Sequence, residues 1–488
     1  MPALSNRTWL LLTLICMFAS MQILRADGQR THVEVGRRAL DKYTSQVDEM
    51  LPGFTDLFAT TDLKSAYYAG CMFPDWAFPN VNNPASEDAH WKRYQEPYFQ
   101  RLVQDCPYPW NDEQKKRIAF FMGIVCHGMA DLPWHFSKEG HASVLERSFA
   151  NDRATHFDTE YSYDLFLYQS GTPPRELIPK LWWPIEDIKD AYRRMGTILP
   201  NGQLENMFVR TNVMINGGPL AASMAAEGLK KKYPWVKENV NGYYFGGVEH
   251  SGALTASWLK YYYARMRGGR YYQNIPTAVT EDNDERVYAG TTDTTLLESL
   301  PQNNTGSEPY LDLAGDNSKD HRQSLLRFEL TDWSNEKPIG KATLWLYFVG
   351  WHGNPPTKAK DIICRRVSAP WSEGVGITSD VNGTEGQPHN DSSATWSQFQ
   401  QKLGPEIAST TIKADLPPGR WLSWDVTSAV RDWIASPSSN HGLQLSGDSS
   451  STGIVRVYSS EAFRTQVQTE DKGGGFRIIF RPVLVISP

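Results

Sequence analysis

The stretch from His127 to Glu160 constrains this chain more than any other. It reads CHGMADLPWH at 126–135 and THFDTE at 155–160. His127, Asp131 and His135 follow one another at steps of four, and His156 and Glu160 repeat the step. At roughly 100° per residue, a four-residue step drifts only about 40° around a helix, so each set projects from one face. Imidazoles and carboxylates converging in this way are the donors that zinc prefers. A single polar pair at this spacing is common on helix surfaces and carries little weight. Two such pairs, with further histidine and aspartate candidates upstream, point to a metal site.

The chain has 488 residues, more than one ordinary core accommodates, so two domains are expected. Its formal charge is −6, and loss of Arg7 and Arg25 with the first 26 residues would take it to −8. No basic stretch suited to a nucleic-acid backbone stands out. Residues 1–26 read as a secretory signal: Arg7 precedes the apolar run Trp9–Ala19, and Ala19, Ser20 and Ala26 are small residues suited to cleavage. Cleavage before Asp27 is expected, and the run is too short to span a bilayer comfortably. Cys16 would leave with the signal. Cys71, Cys106, Cys126 and Cys364 remain, with pairing that sequence alone leaves open. Sequons at Asn303, Asn382 and Asn390 suit an exported glycoprotein.

From Thr31 to about Trp258 the apolar pattern is helical. Helices are predicted from His32 to about Met50, over Trp91–Gln104, Asp112–Trp134 and Asp152–Gln169, and over 203–230 and 247–266. Pro133 is expected to kink or end its helix, leaving His135 on an altered trajectory. Beyond Val279 short alternating strands take over, among them 343–348, 442–445, 455–458, Arg477–Phe480 and Val483–Ile486. Their spacing and the turn residues between them predict a β-sandwich, with the boundary between Arg267 and Thr277. The expected division is 1–26 signal, 27–270 helical domain and 277–488 sandwich.

Upstream, His32 stands five residues beyond Asp27, Asp75 sits in the turn Pro74-Asp75-Trp76, and His90 precedes Trp91. The order H…D…H…HxxxD…H…HxxxE resembles the zinc-dependent phospholipase C and single-strand-specific nuclease superfamily. Within it the pieces are closest to the glycosylphosphatidylinositol-specific phospholipase D group. They are THVEVGRRAL (31–40), AYYAGCMFPDW (66–76), AHW (89–91), the run 108–135 and ATHFDTE (154–160). The resemblance implies an all-α domain holding two to three zinc ions. Asp75, His90, His127 and Asp131 would hold one; His135, His156 and Glu160 a second. His32, the freed α-amino group and a shared oxygen of Asp131 would hold the third. Relatives begin their mature chain with Cys or Trp, whereas this one would begin with Asp27. Asp75 and Asp131 are the implied catalytic residues, Asp75 orienting or deprotonating the attacking water. His141 has no place in the pattern. Phe73, Trp76, Trp91 and Trp134 flank the ligands, either as walls of an apolar pocket or as core.

The implied activity is a secreted phosphodiesterase acting on phospholipid or glycosylphosphatidylinositol, of phospholipase D or C type, with peripheral membrane contact. Neither the paired HxK motifs of the other phospholipase D class nor a serine-centred lipase elbow is present. The alternatives are a nuclease on the same scaffold, with nucleic acid as partner, and a non-catalytic glycan- or wall-binding protein with a structural metal. The C-terminal part resembles the DNRLRE β-sandwich, which is related to carbohydrate-binding modules and jelly-roll-like in form. QSLLRFEL (323–330), ATLWLYF (342–348) and WLSWDVTSAVRDWI (421–434) carry that likeness. It implies polysaccharide contact, for which Trp371, Trp424 and Trp433 are candidates; a buried core is the stronger expectation for all three.

Overall fold

A computed structural model describes residues 28–41, 46–77, 84–137, 141–174, 181–275, 288–313, 321–330, 333, 337–376, 393–447, 453–462 and 474–488. The expected signal, Asp27, and the sequons at Asn382 and Asn390 lie outside them; Asn303 is half-buried in a turn. Two compact units divide the chain, the first formed chiefly by residues up to Leu259 and the second by residues from Lys260.

Nine helices of nine residues or more run through the described part preceding the first strand. They are α1 (Gln29–Asp41), α2 (Thr61–Met72), α3 (Lys92–Asp105), α4 (Asp112–His135), α5 (Val144–Asp152), α6 (His156–Ser170), α7 (Ile185–Arg194), α8 (Gln203–Lys232) and α9 (Val248–Met266). Caps set the two helices that matter most. Asn111 and Gln114 close a reciprocal capping box at the start of α4, with Asp112 and Glu113 favouring the positive end of its dipole. Thr155 and Asp158 do the same for α6, so the helix begins at His156 and Glu160 follows one turn later.

Helix α4 is buried along most of its length and packs against α2 with backbone touching backbone. A Cβ on Gly123 would fall 2.0 Å from the Tyr67 carbonyl oxygen, a contact that only glycine permits. One turn later, a Cβ on Gly128 would stand 2.1 Å from the His90 carbonyl oxygen, so the segment carrying His90 also lies directly on α4. Pro133 does not end the helix. Regular structure continues to His135 and closes at Phe136, whose N–H donates to the Leu132 carbonyl. The ring costs the bond to the Met129 carbonyl, but the helix runs on through it, so Asp131 and His135 keep their one-turn spacing.

The second unit is a sandwich of two antiparallel sheets. Its strands are β1 (Arg270–Tyr272), β2 (Thr291–Leu297), β3 (Tyr310–Asp312), β4 (Arg322–Phe328), β5 (Lys341–His352), β6 (Lys360–Val367), β7 (Leu403–Ile412), β8 (Arg420–Asp425), β9 (Leu443–Gly447), β10 (Ile454–Tyr458) and β11 (Val483–Ser487). One sheet has the order β1-β11-β5-β10-β3 with β8 on the other edge of β5, and its partner runs β2-β4-β9-β6-β7. The boundary interval therefore contributes a strand, since Arg270–Tyr272 pairs with Leu484–Ile486. Period-two alternation turns Leu344, Leu346 and Phe348 of one sheet toward Leu326, Ile362 and Leu445 of the other, in a common core. Burial of such side chains contributes at about 25 cal/mol per Å² of apolar surface.

The structure corrects one expected strand and adds one helix. Arg477–Phe480, expected as a strand, lies in a tight helical turn, Gly474–Phe480. Thr427–Ala435 forms a helix whose Ala429, Val430, Trp433 and Ile434 face the sandwich core. Trp371, Trp424 and Trp433 are buried, as expected of core. The indole N–H of Trp424 donates to Ile362 and that of Trp371 to His441.

Candidate metal centre

Asp131 stands where the ligands expected from the sequence converge. Its Oδ2 lies 3.2 Å from His127 Nε2 and 3.5 Å from His90 Nε2. Its Oδ1 lies 3.4 Å from His32 Nε2 and 3.9 Å from His135 Nε2. Asp75 closes the first cluster, with Oδ1 at 3.2 Å from His90 Nε2 and 3.7 Å from His127 Nε2. Glu160 closes another, its Oε1 at 3.1 Å from His135 Nε2 and 3.0 Å from His156 Nε2. Donors on a tetrahedral ion at 2.0–2.1 Å are separated by about 3.3 Å, which matches the edges of the first cluster.

Three groups of ligating atoms result: Asp75, His90 and His127; His32, His127 and Asp131; and His135, His156 and Glu160. All eight residues named from the sequence are present. His127 stands in two of the groups, and Asp131 touches all three. His141 stands in none; its Nδ1 lies 3.3 Å from the Tyr244 hydroxyl.

Several of these atoms have no hydrogen-bond partner despite burial: His127 Nε2, His32 Nδ1, Asp75 Oδ2 and Glu160 Oε2. Such orphaned groups are costly unless something else satisfies them. The outer ring nitrogens are well held. His127 Nδ1 donates to the Cys71 carbonyl at 2.7 Å, and His90 Nδ1 to the Ser86 carbonyl at 3.0 Å. Those bonds turn both Nε2 atoms toward the centre, the arrangement that a metal-bound histidine needs.

Charge points the same way. Asp75, Asp131 and Glu160 place three carboxylates in a poorly solvated space, and that space attracts cations. Burial opposes charge on His90, but the bond to Asp75 and the charge of Asp131 outweigh it and raise its pKa to about 10. His135 rises to about 9 against the same opposition, through Glu160 and Asp131. His32 moves down to about 4, pushed by burial and by the stacked His127 ring at 3.6 Å. Burial favours the neutral acid at Asp131, yet His127 and His32 hold its carboxyl well below the usual range. Glu160 falls to about 2 despite burial, through His135 and His156.

Exposure grades across the centre. The His127 side chain is fully buried, that of His135 is 27 % exposed and that of His156 is 53 % exposed. A ligand arriving from solvent therefore meets the His135–His156–Glu160 group first. The aromatic residues beside the ligands form no open wall. Phe73, Trp76, Trp91 and Trp134 are buried, and Phe73 packs on Tyr94, Phe120 and Trp183.

One supporting residue was not picked out in sequence. Asp164 accepts the Arg30 and Thr31 backbone N–H groups and the Thr31 hydroxyl, at 2.7–3.0 Å, and so pins the start of α1 on which His32 sits. Burial pushes its carboxyl up to about 6. The signal was present, because Asp164 continues the four-residue step of His156 and Glu160.

The family model described as zinc dependent phospholipase C matches residues 31–215. That match lies within the helical unit. The matched stretch contains all eight residues of the centre, and a buried set of imidazole and carboxylate donors with orphaned atoms fits zinc. A second family model, the disaggregatase related repeat domain, matches residues 293–471. That match lies within the sandwich, where the sequence reading saw a DNRLRE likeness. Among curated proteins, the mouse phosphatidylinositol-glycan-specific phospholipase D is 24% identical over 296 residues, covering 56% of this chain and 33% of its own length. Its Dictyostelium discoideum namesake is 25% identical over 276 residues, covering 51% of this chain and 26% of its own. The human namesake is 24% identical over 247 residues, covering 46% and 27%. The chain thus matches about a third or less of the length of these relatives. No described helix is long and apolar enough to cross a membrane.

Proposed function

We propose that this chain is a secreted zinc-dependent phosphodiesterase whose helical domain, assigned to residues 27–270, hydrolyses phospholipid or glycosylphosphatidylinositol. The observation that carries the reading is the meeting of all eight ligand candidates in three groups joined through Asp131. Asp75, His90, His127 and Asp131 would hold one zinc, and His135, His156 and Glu160 a second. His32 and Asp131 would hold a third with the α-amino group of Asp27. Support for that last ligand comes from Gly28, where a Cβ would be 3.3 Å from His32 Nε2, so the backbone next to residue 27 lies beside this imidazole. Zinc bound here neutralises phosphoryl charge and acidifies a coordinated water.

The protein's own residues supply the rest. Asp75 Oδ2, buried and without a partner, accepts a proton from the attacking water as its oxygen bonds to phosphorus. Asp131 keeps the groups in register, and the Cys71 and Ser86 carbonyls fix the imidazoles that face them. The diester enters past His135 and His156, the solvent-facing members. As the new bond forms, the bond from phosphorus to the leaving alcohol breaks opposite it. The names of the matched relatives favour departure of the inositol-bearing alcohol, which leaves phosphatidic acid.

Incubation of the pure protein with a glycosylphosphatidylinositol-anchored protein, a simple phospholipid and single-stranded DNA tests this by mass analysis of the products. Phosphatidic acid is the expected lipid. Diacylglycerol alone would overturn the phospholipase D assignment, and cleaved DNA with intact lipid would overturn the substrate class.

A further inference from the structure

We propose that Cys71 and Cys126 form a disulfide that staples α2 to α4 directly behind His127. The four described cysteines are buried thiols. Two of them meet: the Cys71 and Cys126 side chains are within hydrogen-bonding reach of each other. Both face α1. A Cβ on Gly36 would be 2.9 Å from Cys71 Sγ, and Cys126 Sγ lies 3.8 Å from the His32 carbonyl oxygen. The helix backbones are in contact at this level, since a Cβ on Gly123, one turn before Cys126, would be 2.6 Å from the Cys71 amide nitrogen. Disulfides need Cα atoms about 4.4–6.8 Å apart, a separation that backbones packed through glycine readily give. The other two cysteines are placed elsewhere. Cys106 ends α3 beside Arg117 and Asp187, and Cys364 belongs to the sandwich core.

The bond has a role in the site. His127 Nδ1 donates to the carbonyl of Cys71, and Cys126 precedes His127 in the chain. Joining the two sulfurs fixes that carbonyl relative to the helix that presents the imidazole, and closes residues 72–125 into a loop that restricts the unfolded chain. In forming the bond each thiol gives up its hydrogen, and the two electrons and two protons pass to a small-molecule disulfide such as oxidised glutathione, which becomes two thiols. An exported protein meets such oxidants during folding.

The test is to refold the full chain with zinc in a glutathione redox buffer, unfold it in guanidinium with excess iodoacetamide, and map the peptides by mass spectrometry. The expected result is a Cys71–Cys126 peptide pair two hydrogens lighter than its parts, with Cys106 and Cys364 alkylated. Alkylation of all four cysteines, or linkage of Cys71 or Cys126 to any other cysteine, overturns the proposal. Reductant should lower the unfolding midpoint of the helical unit by about 10 °C in the natural sequence. The double variant Cys71→Ala/Cys126→Ala should not respond to reductant, and Cys106→Ala should keep the bond. Should the double variant fail to fold, the peptide map of the natural sequence decides. The map is independent of hydrolysis, so it stands or falls separately from the phosphodiesterase reading.

Discussion

Asp131 in the helical unit and Asp312 in the sandwich are both buried carboxylates ringed by nitrogen, but the nitrogens differ in kind. Around Asp312 the close ones belong to arginines, and the one imidazole, His352, stands farther off with Nδ1 at 3.5 Å. Arg456 grips it through Nε at 2.9 Å and Nη2 at 3.1 Å, and Arg322 adds a third contact at 2.5 Å. Arginine stays charged at any working pH, so this cluster brings its own neutralisation. Burial favours the neutral acid at Asp312, yet His352 and the two guanidinia hold its carboxyl well below the usual range, and neither Asp312 nor the two arginines leave a buried polar atom unpartnered. Around Asp131 the nitrogens are imidazoles, which can give up a proton to a metal as a guanidinium cannot, and they leave atoms unsatisfied. A carboxylate with permanent cations is a fastening. A carboxylate among histidines and two further acids invites a divalent cation.

Four outcomes would break or sharpen this contrast, taken from the largest effect downward. Asp131→Asn should lower hydrolysis by on the order of a thousandfold and strip zinc, with the far-ultraviolet circular dichroism spectrum unchanged. Asp312→Asn should leave kcat within a factor of two in folded protein. A thousandfold loss there, or none at Asp131, would erase the distinction.

The second outcome concerns pH. Zinc needs neutral imidazole, while His90 and His135 without metal hold protons up to about pH 10 and 9. Binding must displace both, so zinc affinity should fall about 100-fold per unit as pH drops from 8.5 to 6.5. Isothermal titration in buffers of different ionisation enthalpy counts the released protons, and a flat affinity would contradict the assignment. The sandwich should show no such slope. Asp312 has a depressed folded pKa, so its contribution is present above the unfolded value and is lost only as pH falls below about 4.

The third outcome is stability. Asp312→Asn leaves two guanidinia without their counter-charge and should destabilise the sandwich by about 3 kcal/mol, read by denaturant unfolding. A change below the error of that measurement would mean the cluster is no fastening.

The smallest effect concerns the start of the chain. A tag ahead of Asp27 should reduce activity several-fold relative to a tag after Pro488, because it removes the free α-amine near His32. Equal activity of the two forms would remove that ligand from the centre.

How much of this could be read in the sequence follows from the range of each signal. The four-residue steps of His127, Asp131, His135, His156 and Glu160 are local, and they survive in the helices unchanged. The capping residues Asn111 and Thr155 are local too. Asp164 continues the same step, but its role escaped because its partners, Arg30 and Thr31, come from the far end of the domain. The Cys71–Cys126 meeting is invisible for the same reason: it depends on the Gly70–Gly123 approach between two helices. Pro133 misled because tertiary packing overrides the local rule: the helix is buried from Ile118 to Trp134, and that packing holds it through the one bond the ring removes. Arg477–Phe480 has the β-branched and aromatic residues of a strand, yet it turns before β11 begins.

Elemental analysis of the gently purified protein, with zinc counted per chain, tests the central claim most directly. The account predicts two to three zinc ions, falling by at least one in His135→Asn and unchanged in Asp312→Asn. Protein that holds no zinc, even after dialysis against a micromolar excess, would contradict it.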